Sequence, residues 1–79
     1  MYKRDFVIGT IENVRRFVNV ATSCIEDIDL VRGRYVIDAK SIMGIFSLDL
    51  SKPIEVHVHT EDAVRAEEIF EKIKIALRG

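Results

Sequence analysis

The 79-residue chain has no tryptophan, one proline, one cysteine and four glycines. A lone Cys24 cannot close an internal disulfide, which excludes the stapled scaffolds of small secreted domains. So little proline and glycine excludes collagen-like and low-complexity chains. Neither sign of charge dominates: twelve basic against thirteen acidic residues leave a formal net charge of -1. That balance lacks the basic field by which a general nucleic-acid binder neutralises phosphates. Uncharged runs such as residues 41–48 fall far short of the roughly 20 apolar residues a membrane-spanning helix needs. The opening residues, Met1-Tyr2-Lys3-Arg4-Asp5, carry no apolar signal core. The resulting expectation is a cytoplasmic protein with no membrane segment and no direct nucleic-acid contact. What the chain does contain is 48% hydrophobic and 32% charged residues, a globular composition long enough for one core and too short for two. A single domain over residues 1–79 is expected.

Residues 2–8 place Tyr2, Phe6 and Ile8 at period two with charge between them, the pattern of a strand with one wet face. Gly9-Thr10 breaks it. The apolar positions then become Ile11, Val14, Phe17, Val18 and Ala21, which predicts a helix over 11–22 with Thr10 as its N-cap. Residues 25–31 alternate again, with Ile28 and Leu30 on one face and Asp27 and Asp29 on the other. Arg32-Gly33 supplies a tight turn into Tyr35-Val36-Ile37, a β-hairpin pattern. Residues 41–48 read as a short second helix, and Ser51-Lys52-Pro53 separates it from the next strand. In that strand Ile54, Val56 and Val58 alternate with Glu55, His57 and His59, so both histidines should point outward. Thr60 is placed to cap a last helix that opens with Glu61 and Asp62 and bears the stripe Ala66, Ile69, Phe70, Ile73, Ala76 and Leu77. Glu68 and Lys72 form an i,i+4 pair on its wet side, worth about 0.3 kcal/mol. The order is βαββαβα, and the expected architecture is an α+β two-layer domain with helices on the one apolar face of a four-stranded sheet.

The second helix is apolar on more than one side. Ile45 and Leu48 can share its inward face, while Ile42 and Phe46, flanked by Met43, lie on another. Irregular geometry could bury all five side chains. Alternatively, Met43 and Phe46 anchor an exposed patch, and such patches dock partners, whether foreign proteins or a second copy in a homodimer. Ser41 stands at the N-cap of the same helix, preceded by Lys40. Its hydroxyl can satisfy an orphan amide donor of the first turn. A phosphate on Ser41 would meet those donors and add an anionic anchor beside the patch.

These residues carry a resemblance. Asp38-Ala39-Lys40-Ser41-Ile42-Met43-Gly44-Ile45-Phe46-Ser47-Leu48 resembles the regulatory-serine segment of HPr, the small phosphocarrier of the bacterial sugar phosphotransferase system. Asp27-Ile28-Asp29-Leu30 looks like the corresponding second strand at unaltered spacing, and the chain length and element order are similar as well. The resemblance implies the HPr open-faced sandwich, a four-stranded antiparallel sheet with three helices on one face. It also implies protein partners in place of a cofactor, and no enzymatic activity. One departure stands out. HPr proteins carry their phosphoryl group on a histidine at the start of the first helix, in a Gly-Leu/Ile-His-Ala-Arg-Pro pattern, where this chain has Gly9-Thr10-Ile11-Glu12-Asn13-Val14. Ungapped pairing puts Thr10 at the histidine position, and pairing by Gly9 puts Ile11 there. Neither offers an imidazole nitrogen as nucleophile. The arginine of that pattern is also missing, and Arg15 and Arg16 lie about one turn further along.

The resemblance is therefore to catabolite-repression paralogues that lack the carrier histidine and keep the serine. It implies Ser41 as the phosphoacceptor of an HPr kinase/phosphorylase, with Lys40 and Arg15 as basic neighbours. Ile42, Met43 and Phe46 would then form the surface that docks on a LacI-type transcription factor. The competing readings are an HPr-fold interaction or dimerisation module with no phosphate chemistry, and a metal-binding module. For the last, Glu55, His57 and His59 share one strand face and are acceptable zinc or iron ligands. Any solvated polar strand face has the same spacing, so no metal is assigned. Cys24 reads as a small buried residue.

Overall fold

Alternation and helical periodicity set the elements of the computed structural model, which describes residues 1–78. They are β1 (Tyr2–Phe6), α1 (Ile11–Thr22), β2 (Asp27–Arg32), β3 (Tyr35–Asp38), α2 (Ile42–Phe46), β4 (Ile54–His59) and α3 (Ala63–Ala76). The strands form one antiparallel sheet in the order β1-β4-β2-β3. Ile54, Val56 and Val58 of β4 face the helices together with Ile28 and Leu30 of β2, and all five are buried. Val14, Phe17 and Ala21 of α1, Ile45 of α2 and Ala66, Ile69, Phe70 and Ile73 of α3 close over them as one apolar cluster. The other sheet face, with Glu55 and Asp27 exposed, is left open to water. This is the expected four-stranded sandwich with three helices.

Departures from the sequence pattern have local causes. β1 ends at Phe6 and not at Ile8, because Gly9, at φ 85°, turns the chain and its amide donates to the Leu50 carbonyl at 2.8 Å. Ile8 stays buried but leaves the ladder. Arg4 shares the helix-side register of β1 with Tyr2 and Phe6. Its guanidinium lies 4.6 Å from the Phe70 ring centroid and takes Glu67 as a bidentate partner at 2.7 and 3.2 Å. Ile11, read as core, is 62% exposed. The last helix is capped by Asp62, whose carboxylate accepts from the Val64 and Arg65 amides, while the Thr60 hydroxyl accepts only from the Asp62 amide. A carboxylate two positions closer to the first turn displaces the threonine. Among the described residues Glu68 takes Arg65 at 3.4 Å in place of the expected Lys72.

Two further ties hold the elements together. Arg65 donates to both carboxylate oxygens of Glu26 at 2.8 and 3.0 Å, joining α3 to the start of β2. That guanidinium holds the Glu26 carboxyl below its ordinary range. The Asn13 amide donates to the carbonyls of Ile8 at 2.8 Å and Leu77 at 3.3 Å, clasping the β1–α1 corner to the end of α3. Cys24 is buried, its thiol donating to the Val20 carbonyl.

Candidate functional site

Ser41 sits where the sheet hands the chain to α2. Ala39 is fully buried, and its amide donates to the Ile28 carbonyl at 2.9 Å, so the corner after β3 is pinned to β2. Asp38 then organises the turn: its carboxylate accepts from the Lys40 amide, and its carbonyl from the Ser41 amide, each at 2.9 Å. Ser41 follows in extended conformation, φ -94° and ψ 90°, as N-cap of α2, and its hydroxyl accepts from the Gly44 amide at 3.4 Å. That bond is long for a cap. The Ser41 side chain is exposed, and the turn beneath it is held by these hydrogen bonds.

Gly44 explains how the helix lies so flat on the hairpin. A Cβ there would stand 2.9 Å from Cγ2 of Ile37 and 3.1 Å from the Ser41 hydroxyl oxygen. The close approach drives Ile45 and Leu48 into the core. It leaves Met43 76% and Phe46 38% exposed on the outer side. Ile42, grouped with them by the sequence pattern, is half-buried and packs against the core. The exposed apolar patch is therefore carried by Met43 and Phe46, with only the edge of Ile42. The Ser47 hydroxyl closes α2 by donating to the Gly44 carbonyl at 2.6 Å.

α1 packs beside α2. Thr10 is the N-cap of α1 and its hydroxyl accepts from the Asn13 amide at 3.1 Å. Arg15 and Lys40 are exposed and Arg16 half-exposed, and none forms an ion pair among the described residues. No hydrogen bond ties Arg15 or Lys40 to the Ser41 hydroxyl among the described residues. On the open sheet face the two histidines take separate partners. His57 Nε2 lies 3.0 Å from Glu55, and His59 Nε2 lies 2.7 Å from Asp29. Among the described residues no three His, Cys, Asp or Glu side chains gather to hold a metal ion.

The family model described as PTS HPr component phosphorylation site matches residues 13–78. The chain belongs to the HPr family. Members are phosphocarrier proteins of the phosphotransferase system, which work by contact with other proteins of that system and are not enzymes. The match begins at Asn13, so Thr10 lies ahead of it. The fold is similar to HPr-C-His from Thermoanaerobacter tengcongensis, with a TM-score of 0.78 and 22% identity over 100% of this chain and 98% of that one. It is also similar to the phosphocarrier HPr from Bacillus anthracis, at 0.69 and 23%, covering 95% and 94%. The histidine-containing phosphocarrier protein of Mycoplasma aligns at 0.70 and 17%, covering 99% and 100%. No curated protein sequence matches the chain. Among the described residues no helix is long and apolar enough to cross a membrane.

Sequence reasoning missed Asp38 and Gly44. Asp38 carried a signal, since Asp followed two residues later by a free amide is an Asx-turn pattern. Gly44 carried none, because its role depends on Ile37 from another element.

Proposed function

We propose that this protein is a regulatory member of the HPr family that does not relay phosphate through histidine and is switched at Ser41. One observation carries the reading. At the start of α1 stands Thr10, its hydroxyl engaged as a helix cap, while Ser41 is exposed at the start of α2 beside the unburied Met43 and Phe46. A threonine cannot replace imidazole as a relay nucleophile, since phosphothreonine is a stable ester and not a transferable phosphoramidate.

A kinase of the HPr kinase/phosphorylase type would place the phosphoryl group on the Ser41 oxygen. The group would face the Gly44 amide, with Lys40 and Arg15 free to turn toward it. The Asp38 carboxylate is already bound to the Lys40 amide, which moderates its repulsion. Charge would thus be added beside an apolar patch without rebuilding the fold. A LacI-type transcription factor in carbon catabolite control would dock on Met43, Phe46 and the edge of Ile42 in the phosphorylated state.

The test is to incubate the protein with an HPr kinase/phosphorylase and ATP, and in parallel with phosphoenolpyruvate and the first enzyme of the phosphotransferase system. Modified residues are then mapped by mass spectrometry. Acid-stable phosphate on Ser41, absent from Ser41→Ala, is expected. Acid-labile phosphate on His57 or His59, or kinase labelling that survives Ser41→Ala, would overturn the reading. The exposure of Met43 also favours a second reading, an interaction or dimerisation module without phosphate chemistry. In that case Met43→Asp with Phe46→Asp abolishes association equally with and without the kinase.

A further inference from the structure

At the hairpin end of the sheet, the helix-side face runs past its helical cover. β2 and β3 continue the register Leu30↔Ile37 to Arg32↔Tyr35, so Arg32 and Tyr35 occupy positions that elsewhere in the sheet hold core side chains. Among the described residues no helix closes over them, and Tyr35 is exposed. They line an open cleft of about 620 Å³, walled on the other side by residues 47–49 that come after α2. The volume is within the range of small-molecule sites. We infer that this cleft binds a small, soluble phosphate ester of a polyhydroxylated compound, with the phosphate on Arg34 and Arg32 and the hydroxyl groups on Asp49 and Ser47.

The side chains fit the two halves of such a ligand. Gly33, at φ 57°, lets a two-residue turn carry Arg34 at its tip. The Arg34 guanidinium has no ion pair or hydrogen-bond partner among the described residues. Arg32, which lines the cleft, donates one N–H to the Pro53 carbonyl at 2.8 Å, and its other guanidinium donors take no hydrogen-bond partner among the described residues. Asp49 supplies the opposite chemistry. Both donors from Ser51, the amide at 3.1 Å and the hydroxyl at 2.6 Å, fall on Oδ1, so Oδ2 is left to accept. Those Ser51 hydrogen bonds hold the Asp49 carboxyl below its ordinary range, keeping it ionised. An anion alone would be repelled by this carboxylate. A phosphate ester with hydroxyls instead meets the guanidiniums at one end and gives Asp49 donors at the other, while the exposed Tyr35 ring offers an apolar face for the carbon skeleton. The cleft lies at the opposite end of α2 from Ser41, so it does not depend on the proposal for that residue.

The test titrates isotopically labelled protein with ribose 5-phosphate, inorganic phosphate and ribose, following amide resonances by NMR. Ribose 5-phosphate is expected to shift residues 33–35 and 47–49 saturably below about 10 mM. Inorganic phosphate should bind at least about five-fold more weakly, and ribose not at all. Arg34→Gln, an exposed turn position, should weaken binding about ten-fold with the melting temperature unchanged. Asp49→Asn should erase the preference over inorganic phosphate. Equal affinity for inorganic phosphate, an unaltered Arg34→Gln titration, or no saturable shift would each overturn the assignment.

Discussion

Replacing Gly44 with alanine sets two opposed effects against each other inside α2. In an exposed helix interior the change would stabilise by about 1 kcal/mol, because glycine has more backbone entropy to lose. Here the added methyl would stand 2.9 Å from Ile37 Cγ2. That carbon is bonded to Cβ of a β-branched side chain and moves only by changing χ1, so overpacking costs about 1–3 kcal/mol. The methyl also approaches the Ser41 hydroxyl to 3.1 Å and pushes at a cap already stretched to 3.4 Å. Losing a cap this long costs about 0.5 kcal/mol, the low end for N-caps. The sum is a net destabilisation of about 0.5–2.5 kcal/mol, equivalent to a fall of roughly 2–20 °C in melting temperature for a chain of this size. Thermal and urea unfolding followed by circular dichroism measure it. A double-mutant cycle with Ser41→Ala should give a combined loss smaller than the sum, since both changes disturb the same cap. A Gly44→Ala protein as stable as the parent, or more so, would refute the contact with Ile37 and the account of why α2 lies so close to the hairpin.

Ile45→Ala removes the fully buried side chain of α2 and should cost about 2–5 kcal/mol of a total of roughly 4–12, while Ile45→Val should cost about 1; urea denaturation separates the two. Thr10→Ala should lose about 1 kcal/mol and raise amide hydrogen exchange in the first turn of α1, and it should leave kinase labelling at Ser41 unchanged. The Glu26 carboxyl, lowered chiefly by its hydrogen bonds from Arg65, contributes stability that is complete above its ordinary value of 4.5 and is lost as pH falls through the lower folded value. Arg65→Met should therefore be weaker than the parent at neutral pH, with the gap closing on acidification. Urea midpoints across the acid range report it, and a gap that stays constant would contradict the assignment.

The sheet was readable because burial on one face writes period two into β2 and β4, and the hairpin because Arg32-Gly33 breaks that alternation at a single place. The start of α1 was readable because a cap-forming Thr10 stands directly ahead of its stripe. Reading failed where partners come from distant parts of the chain. Arg4 looked like a wet-face charge because nothing local announces Phe70 and Glu67. Ile11 fits the stripe by spacing, yet as the first residue of α1 it stands exposed. Nothing local announces the tie at Asn13, whose two carbonyl partners are Ile8 and Leu77. At the candidate site, Ser41, Met43 and Phe46 were visible as a helix apolar on too many sides. The close approach at Gly44 depends on Ile37 of β3 and was not.

The strand order β1-β4-β2-β3 bears on synthesis at the ribosome. β1 is made first and has β4 as its only neighbour in the sheet, while β2 can pair early with β3 alone. Until residues 54–59 leave the exit tunnel, a nascent chain holds one hairpin, an unmatched first strand and an α1 with little to cover. Local helices and hairpins form within microseconds, whereas translation adds residues at about 5–20 per second. The growing chain thus waits seconds for its central strand, with Val14, Phe17, Ile28 and Leu30 uncovered. It is in that interval, more than in the finished protein, that chaperone contact and aggregation compete with folding.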